Sequence, residues 1–104
     1  ILTTMYLDIK RNDSLKKIYS FLKKYYKNNK FIKILKPNTF LGTNEVINTN
    51  NCYISVCESK YKNKIIILSA IDNLIKGGSG QAVQNMNILF GYKSDEGLNW
   101  WEYW

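Results

Sequence analysis

The stretch Ser69-Ala70-Ile71-Asp72-Asn73-Leu74-Ile75-Lys76-Gly77-Gly78-Ser79-Gly80-Gln81-Ala82-Val83-Gln84-Asn85-Met86-Asn87 decides how this sequence is read. Its first residues are apolar and strand-like, four glycine or serine positions come after them, and from Gln81 the positions Val83, Met86, Asn87 and Phe90 suit a helix that Gly91 would stop. A strand that passes through a glycine turn into a helix brings backbone N–H groups and the positive end of the helix dipole together. Phosphates, carboxylates and cofactor amides are held at such places. The glycines would let a ligand approach the backbone closely, or let the helix pack tightly, and both readings stand. Two nucleotide motifs are excluded. Gly78-Ser79-Gly80-Gln81-Ala82-Val83 starts like a dinucleotide fingerprint but has valine at the last required position and lies too near the chain end for a full βαβ unit. No Gly-Lys-Ser/Thr occurs, so a P-loop fails as well.

Working outward, Lys64 to Ile71 reads as the strand that feeds this turn. Cys52 to Cys57 reads as its antiparallel partner across the charged connection Lys60-Tyr61-Lys62-Asn63. Residues 37–51 read as a polar loop, and Phe31 to Leu35 as a short strand stopped near Pro37. Leu15, Ile18, Tyr19, Leu22, Tyr25 and Tyr26 recur at helical spacing with lysines between them, which predicts an amphipathic helix with one buried stripe, capped by Asn12, Asp13 or Ser14. Ile1 to Ile9 reads as a strand. The order β-α-β-β-β-α predicts an α+β fold: one domain over residues 1–104, with a mixed, mostly antiparallel sheet and helices on one face.

Composition narrows the function. A chain of 104 residues can bury one core but is short for a cofactor domain plus a substrate domain. It opens on Ile1, directly in a strand, which gives the expectation of a truncated chain. No signal-peptide pattern opens it, and its longest apolar run, Ile65 to Ile71, is too short to span a bilayer, so a soluble cytoplasmic protein without a membrane partner is expected. Cys52 and Cys57, with no histidine in the chain, support neither a metal site nor a disulfide framework. Their odd separation puts them on opposite faces of a strand, as structural thiols. The formal charge of +7 comes largely from lysines between Lys10 and Lys36, on or beside one helix, and reads as a solvated face with no nucleic-acid partner.

The residues from Ile71 to Gly77 and from Gly80 to Asn87, with Gly91 and Gly97-Leu98 beyond them, resemble the closing segment of N-acetyl-gamma-glutamyl-phosphate reductases. Thr43-Asn44-Glu45-Val46-Ile47-Asn48-Thr49-Asn50-Asn51-Cys52 is similar to that family's Thr-Lys-x-Val-x-Gly-Ser/Thr-Asn-x-Cys segment, and Leu2-Thr3-Thr4-Met5-Tyr6 to the strand after its catalytic histidine region. The resemblance covers nearly the whole chain. It departs at Asn44, where the family usually has lysine, at Asn48, where it has glycine, at Tyr53, where an acidic residue is frequent, and in the tail Trp100-Trp101-Glu102-Tyr103-Trp104.

The resemblance implies the fold of the C-terminal domain of glyceraldehyde-3-phosphate dehydrogenase-like enzymes. It also implies an oxidoreductase of arginine biosynthesis that uses NADPH to reduce N-acetyl-glutamyl 5-phosphate to the semialdehyde through a cysteine thioester, with a histidine as acid/base. The nucleotide-binding domain and the Asn-Pro-Gly-Cys-Tyr motif that this chemistry needs are not in these residues, so no catalytic residue is assigned and the chain by itself is expected to be inactive. What the resemblance assigns here is a homo-oligomeric sheet contact and a cofactor-binding turn. Asn73 is the candidate for the nicotinamide carboxamide, with Gly77 and Gly78 allowing its approach. A helix-capping role for Asn73 or Asp72 stands beside it. An aspartate-semialdehyde dehydrogenase-like piece, sharing Asp-Asn-Leu…Lys-Gly, is the enzyme alternative. A small basic module stacking nucleic acid on its eight tyrosines and three tryptophans is the non-enzyme alternative.

Overall fold

A computed structural model describes residues 1–100. Residues 101–104 of the tail lie outside the described residues. The expected element order is present: β1 (Leu2–Asp8), α1 (Leu15–Tyr25), β2 (Ile32–Ile34), β3 (Cys52–Glu58), β4 (Lys64–Ile71) and α2 (Gly80–Leu89). The four strands form one mixed sheet in the order β1-β4-β3-β2. β3 and β4 are antiparallel, with Cys52 opposite Ile71, and β1 runs antiparallel along the other edge of β4, with Leu2 opposite Ala70. Only β2 is parallel, beside β3, because the chain crosses over between them through residues 35–51.

Residues directly opposite on an antiparallel pair share a face, so the register assigns the two sides of the sheet. Tyr53, Ser55 and Cys57 lie with Ala70, Leu68 and Ile66 on one side. The crossover covers that side: Leu41 and Val46 are buried against Ala70, with Leu35, Tyr53 and Leu68 packed around them. The Ser55 hydroxyl donates to the Thr39 carbonyl at 2.6 Å. Residues 37–51 are therefore more than a polar loop. They contain a 3-10 turn (Thr43–Glu45) and carry Leu41, Val46, Asn50 and Asn51 into the interior. No periodicity announces this, because an irregular segment buries side chains one at a time.

Helix α1 packs across β2 and β3. It starts where Ser14 accepts a hydrogen bond from the Lys17 N–H at 3.2 Å, which selects one of the three predicted caps. Leu15, Ile18, Tyr19, Leu22 and Tyr26 are half-buried along one stripe, but Tyr25, also expected there, is exposed. At about 100° per residue it falls roughly 80° from the centre of the stripe. It stacks on Phe21, with ring centroids 5.8 Å apart, on the outer face instead. The cysteines fall on opposite sides as predicted: Cys52 Sγ lies 3.5 Å from the Ser69 hydroxyl and Cys57 Sγ 3.7 Å from the Thr39 carbonyl. Both are free thiols.

Candidate functional site

β4 ends at Ile71, and Asp72 organises the turn beyond it. One carboxylate oxygen accepts the N–H groups of Leu74 (2.8 Å) and Ile75 (3.2 Å), and the other accepts the N–H of Asn48 (2.8 Å). These N–H bonds, first from Asn48 and Leu74, hold the Asp72 carboxyl below the usual aspartate range against a smaller opposing cost of desolvation. Asp72, rather than Asn73, thus caps the start of this turn, while α2 itself begins after Ser79 without a side-chain cap. Asn48 has φ 59°, a left-handed conformation that asparagine tolerates better than most side chains. The asparagine at the family's glycine position therefore keeps a backbone geometry that glycine would supply.

The chain next winds a wide π-helical turn, Ile75–Ser79, before α2. The N–H groups of Gly77, Ser79 and Gly80 bond to the carbonyls of Asp72, Leu74 and Ile75, each five residues back. This corrects the expectation of a helix N-terminus with free N–H donors: at these three positions the donors are already used, although the backbone kinks out of helical geometry at Gly78 (φ −146°, ψ −113°) before α2 begins. The exposed feature is Asn73. Its side chain is on the surface with no hydrogen-bond partner among the described residues, and its Oδ1 lies 3.4 Å from where a Cβ on Gly77 would stand. Gly77 and Gly78 are exposed beside it. A Cβ on Gly77 would meet Ile71 Cδ1 at 3.2 Å, and one on Gly78 would meet only the Asn73 carbonyl, at 3.3 Å. The three residues singled out in the sequence thus form one small exposed surface at the end of β4.

Behind that surface lies a partly buried polar network that sequence reasoning misses. Gln84 Oε1 accepts from Lys76 Nζ (2.8 Å) and from Asn50 Nδ2 (3.0 Å), joining the turn, α2 and the 43–51 loop. Lys76 Nζ also sits 5.3 Å from the centre of the Phe31 ring. Burial lowers the Lys76 pKa, and the nearby Cys52 opposes this weakly. Asn50 is fully buried, and its Oδ1 has no hydrogen-bond partner among the described residues, facing the Cα of Gly80 instead. The only signal of this network in the sequence is that Asn50, Lys76, Gly80 and Gln84 all lie inside the segments 43–52, 71–77 and 80–87 that carry the resemblance. Among the described residues no group of histidine, cysteine, aspartate or glutamate side chains could hold a metal ion, and no helix is long and apolar enough to cross a membrane.

Residues 1–73 match the family model described as semialdehyde dehydrogenase, dimerisation domain. Curated relatives named N-acetyl-gamma-glutamyl-phosphate reductase match nearly the whole chain. The protein from Thermoanaerobacter pseudethanolicus is 44% identical over 99 residues, which is 95% of this chain and 29% of the relative. That from Vesicomyosocius okutanii is 48% identical over 98 residues, 94% of this chain and 27% of the relative. That from Campylobacter jejuni is 44% identical over 98 residues, 94% and 29%. The chain therefore spans less than a third of the length of these relatives, and the match falls in their C-terminal part.

Proposed function

Because this chain belongs to the semialdehyde dehydrogenase dimerisation-domain family, we propose that residues 1–104 form the C-terminal domain of an NADPH-dependent cytoplasmic reductase that converts N-acetyl-glutamyl 5-phosphate to the 5-semialdehyde in arginine biosynthesis. The observation that carries this reading is identity of 42–48% with relatives of that name over almost the entire chain. Those names favour the arginine enzyme over the aspartate-semialdehyde alternative and over a nucleic-acid module. The chain contains no histidine, so the acid/base, like the thiolate nucleophile and the nucleotide-binding domain, is assigned to residues outside it.

NADPH supplies the hydride. The Asn73 surface suits its nicotinamide carboxamide: the Asn73 amide is exposed and unpaired among the described residues, and can donate and accept at once. Gly77 and Gly78 add no side chain beside it. Asp72 contributes by fixing the backbone, since two of its N–H bonds hold the turn and the third, from Asn48, ties it to the 43–51 loop. The partner surface we assign to a second copy is the β1 side of the sheet. β1 is exposed along its whole length, including Leu2, Met5, Tyr6 and Leu7, and lies within the residues matched by the dimerisation model.

The test is a chimera in which this chain replaces the matched 99 residues of the Thermoanaerobacter protein. NADPH-dependent reduction of the acyl phosphate is expected from the chimera and none from the 104-residue chain alone. In the chimera, Asn73→Ala should weaken NADPH binding roughly twofold to tenfold, the worth of one hydrogen bond, and slow hydride transfer by misorienting the ring. Gly78→Val should be worse. If both variants lose only melting temperature while affinity per folded molecule is unchanged, Asn73 and Gly78 leave the site.

A further inference from the structure

A second, separate site lies on the inner side of the same turn, where α1 ends, β2 begins and α2 passes. A partly enclosed crevice of about 120 Å³ is lined by Asn28, Asn29, Lys30, Lys76, Gln84 and Ser94, with Phe31, Ile32 and Ile88 as its apolar walls. None of Asn73, Gly77 and Gly78 lines it. The polar lining is unusual in sign: it has two ammonium groups, three amides and a hydroxyl, but no carboxylate. The Lys30 ammonium is paired with Asp95 at 2.8 Å, whereas that of Lys76 has no carboxylate partner among the described residues. Its described contacts are Gln84 Oε1 and the Phe31 ring, both neutral.

A half-buried cation without a counter-anion is costly, and burial already holds the Lys76 ammonium below the usual lysine range. Donors without partners surround it. Gln84 Oε1 accepts from both Lys76 and Asn50, so the oxygen is occupied, while the Gln84 NH₂ group has no partner among the described residues. The exposed side-chain amides of Asn28 and Asn29 and the half-buried Ser94 hydroxyl likewise have no protein partner among the described residues, since Ser94 takes part only through its carbonyl. A cavity of this volume is well below that of a nucleotide or drug-sized ligand, and has room for a single phosphate or carboxylate group.

We propose that this crevice is a binding site for one small oxyanion group, a phosphate or a carboxylate, held by the Lys76 ammonium with the Gln84, Asn28 and Asn29 amides and the Ser94 hydroxyl. The site goes beyond the reductase reading and does not depend on it, since every lining residue belongs to this chain. Its lining sets the Lys76 charge beside neutral donors and 5.3 Å from the buried Phe31 ring, an apolar neighbour that strengthens a charge-assisted bond.

The experiment is a ¹H–¹⁵N NMR titration of the 104-residue chain with sodium phosphate and, separately, sodium acetate, at ionic strength held constant with sodium chloride. Saturable shifts centred on the amides of Phe31, Lys76 and Ser94 are expected, and whichever anion saturates at the lower concentration identifies the group. Lys76→Met keeps the stem over Phe31 and removes the charge, and should weaken binding about tenfold or more, as loss of a charge-assisted hydrogen bond does. Asn29→Asp places a carboxylate in the crevice and should abolish binding with Lys76 still present, so it decides the matter if Lys76→Met fails to fold. Lys17→Met, on α1 outside the crevice, should leave binding unchanged. The proposal is overturned if neither anion gives saturable shifts, or if either crevice variant binds as tightly as the parent chain.

Discussion

Gly80 tests the packing between the turn and the 43–51 loop with a single methyl group. A Cβ placed on it would lie 2.3 Å from Asn50 Oδ1, 2.7 Å from the Ile75 carbonyl oxygen and 2.8 Å from Ile75 Cγ2. Asn50 and Gly80 are buried, so neither can swing into solvent. Overpacking of this kind costs roughly 1–3 kcal/mol. Alanine at a helical position returns at most about 1 kcal/mol over glycine, and less here because Gly80 is the first residue of α2. Gly80→Ala should therefore destabilise the chain by about 1–2 kcal/mol, a fall in melting temperature of about 4–16 °C for a domain of this size. Thermal unfolding followed by circular dichroism at fixed protein concentration measures it. Adding Asn50→Ser should recover only part of the loss, since it relieves the contact with Oδ1 but not those with Ile75. Gly78→Ala, whose Cβ meets only the Asn73 carbonyl at 3.3 Å, should cost less than Gly80→Ala. A Gly80→Ala protein that melts at or above the parent temperature would refute this account of the loop–turn contact.

Asp72 and Asp95 both have carboxyl pKa values held below 3.8, by backbone N–H bonds and by the Lys30 ammonium respectively. A depressed folded pKa means stabilisation that is complete above the unfolded value and lost as pH falls through the folded one, so urea midpoints should drop below about pH 4, and less steeply in Asp72→Asn. Asn87 is 2% exposed and donates to the carbonyls of Ser94 (3.2 Å) and Glu96 (2.9 Å), closing the last loop onto α2. Asn87→Leu removes both bonds and should cost about 1–3 kcal/mol in chemical denaturation, and an unchanged midpoint would show that the loop closes without them. The chain should self-associate through the β1 side of the sheet, with light scattering showing a larger species whose population falls in Leu7→Lys. A monodisperse monomer at high concentration would count against that surface.

Where the sequence carries a period, it is legible. Lys64 to Ile71 has in the structure the bounds its pattern predicts, and the antiparallel pair, the helix start at Leu15 and the stop at Gly91, with φ 76°, come from local chemistry. The misread positions are those decided by contacts that spacing does not reveal, some of them distant in sequence. Tyr25 satisfies helical spacing, yet it stacks on Phe21 on the outer face and meets the edge of Tyr26, with centroids 4.9 Å apart. Leu41 and Val46 look like isolated apolar residues in a polar stretch, and only the crossover to β3 reveals that they cap Ala70. The π-turn is hidden because glycine-rich sequence reads as loop, whereas here the carbonyls of Asp72, Leu74 and Ile75 each accept from five residues ahead.

The adjacent pair Asp72-Asn73 shows most clearly how the candidate site depends on such distant contacts. Both side chains can cap a helix, and the sequence leaves the choice open. The choice is made twenty-four residues upstream, where the left-handed Asn48 directs its N–H at one carboxylate oxygen while the turn's own N–H groups take the other. Only an acceptor with two oxygens can serve three N–H donors from two segments in this way; a side-chain amide has one oxygen, and its NH₂ group would meet one segment donor to donor. The carboxylate is therefore required at position 72. Its neighbour, freed from capping, leaves its amide exposed beside Gly77 and Gly78. The replacement of the family's glycine by Asn48 is accommodated because this clamp uses the backbone N–H, not the side chain, of that residue.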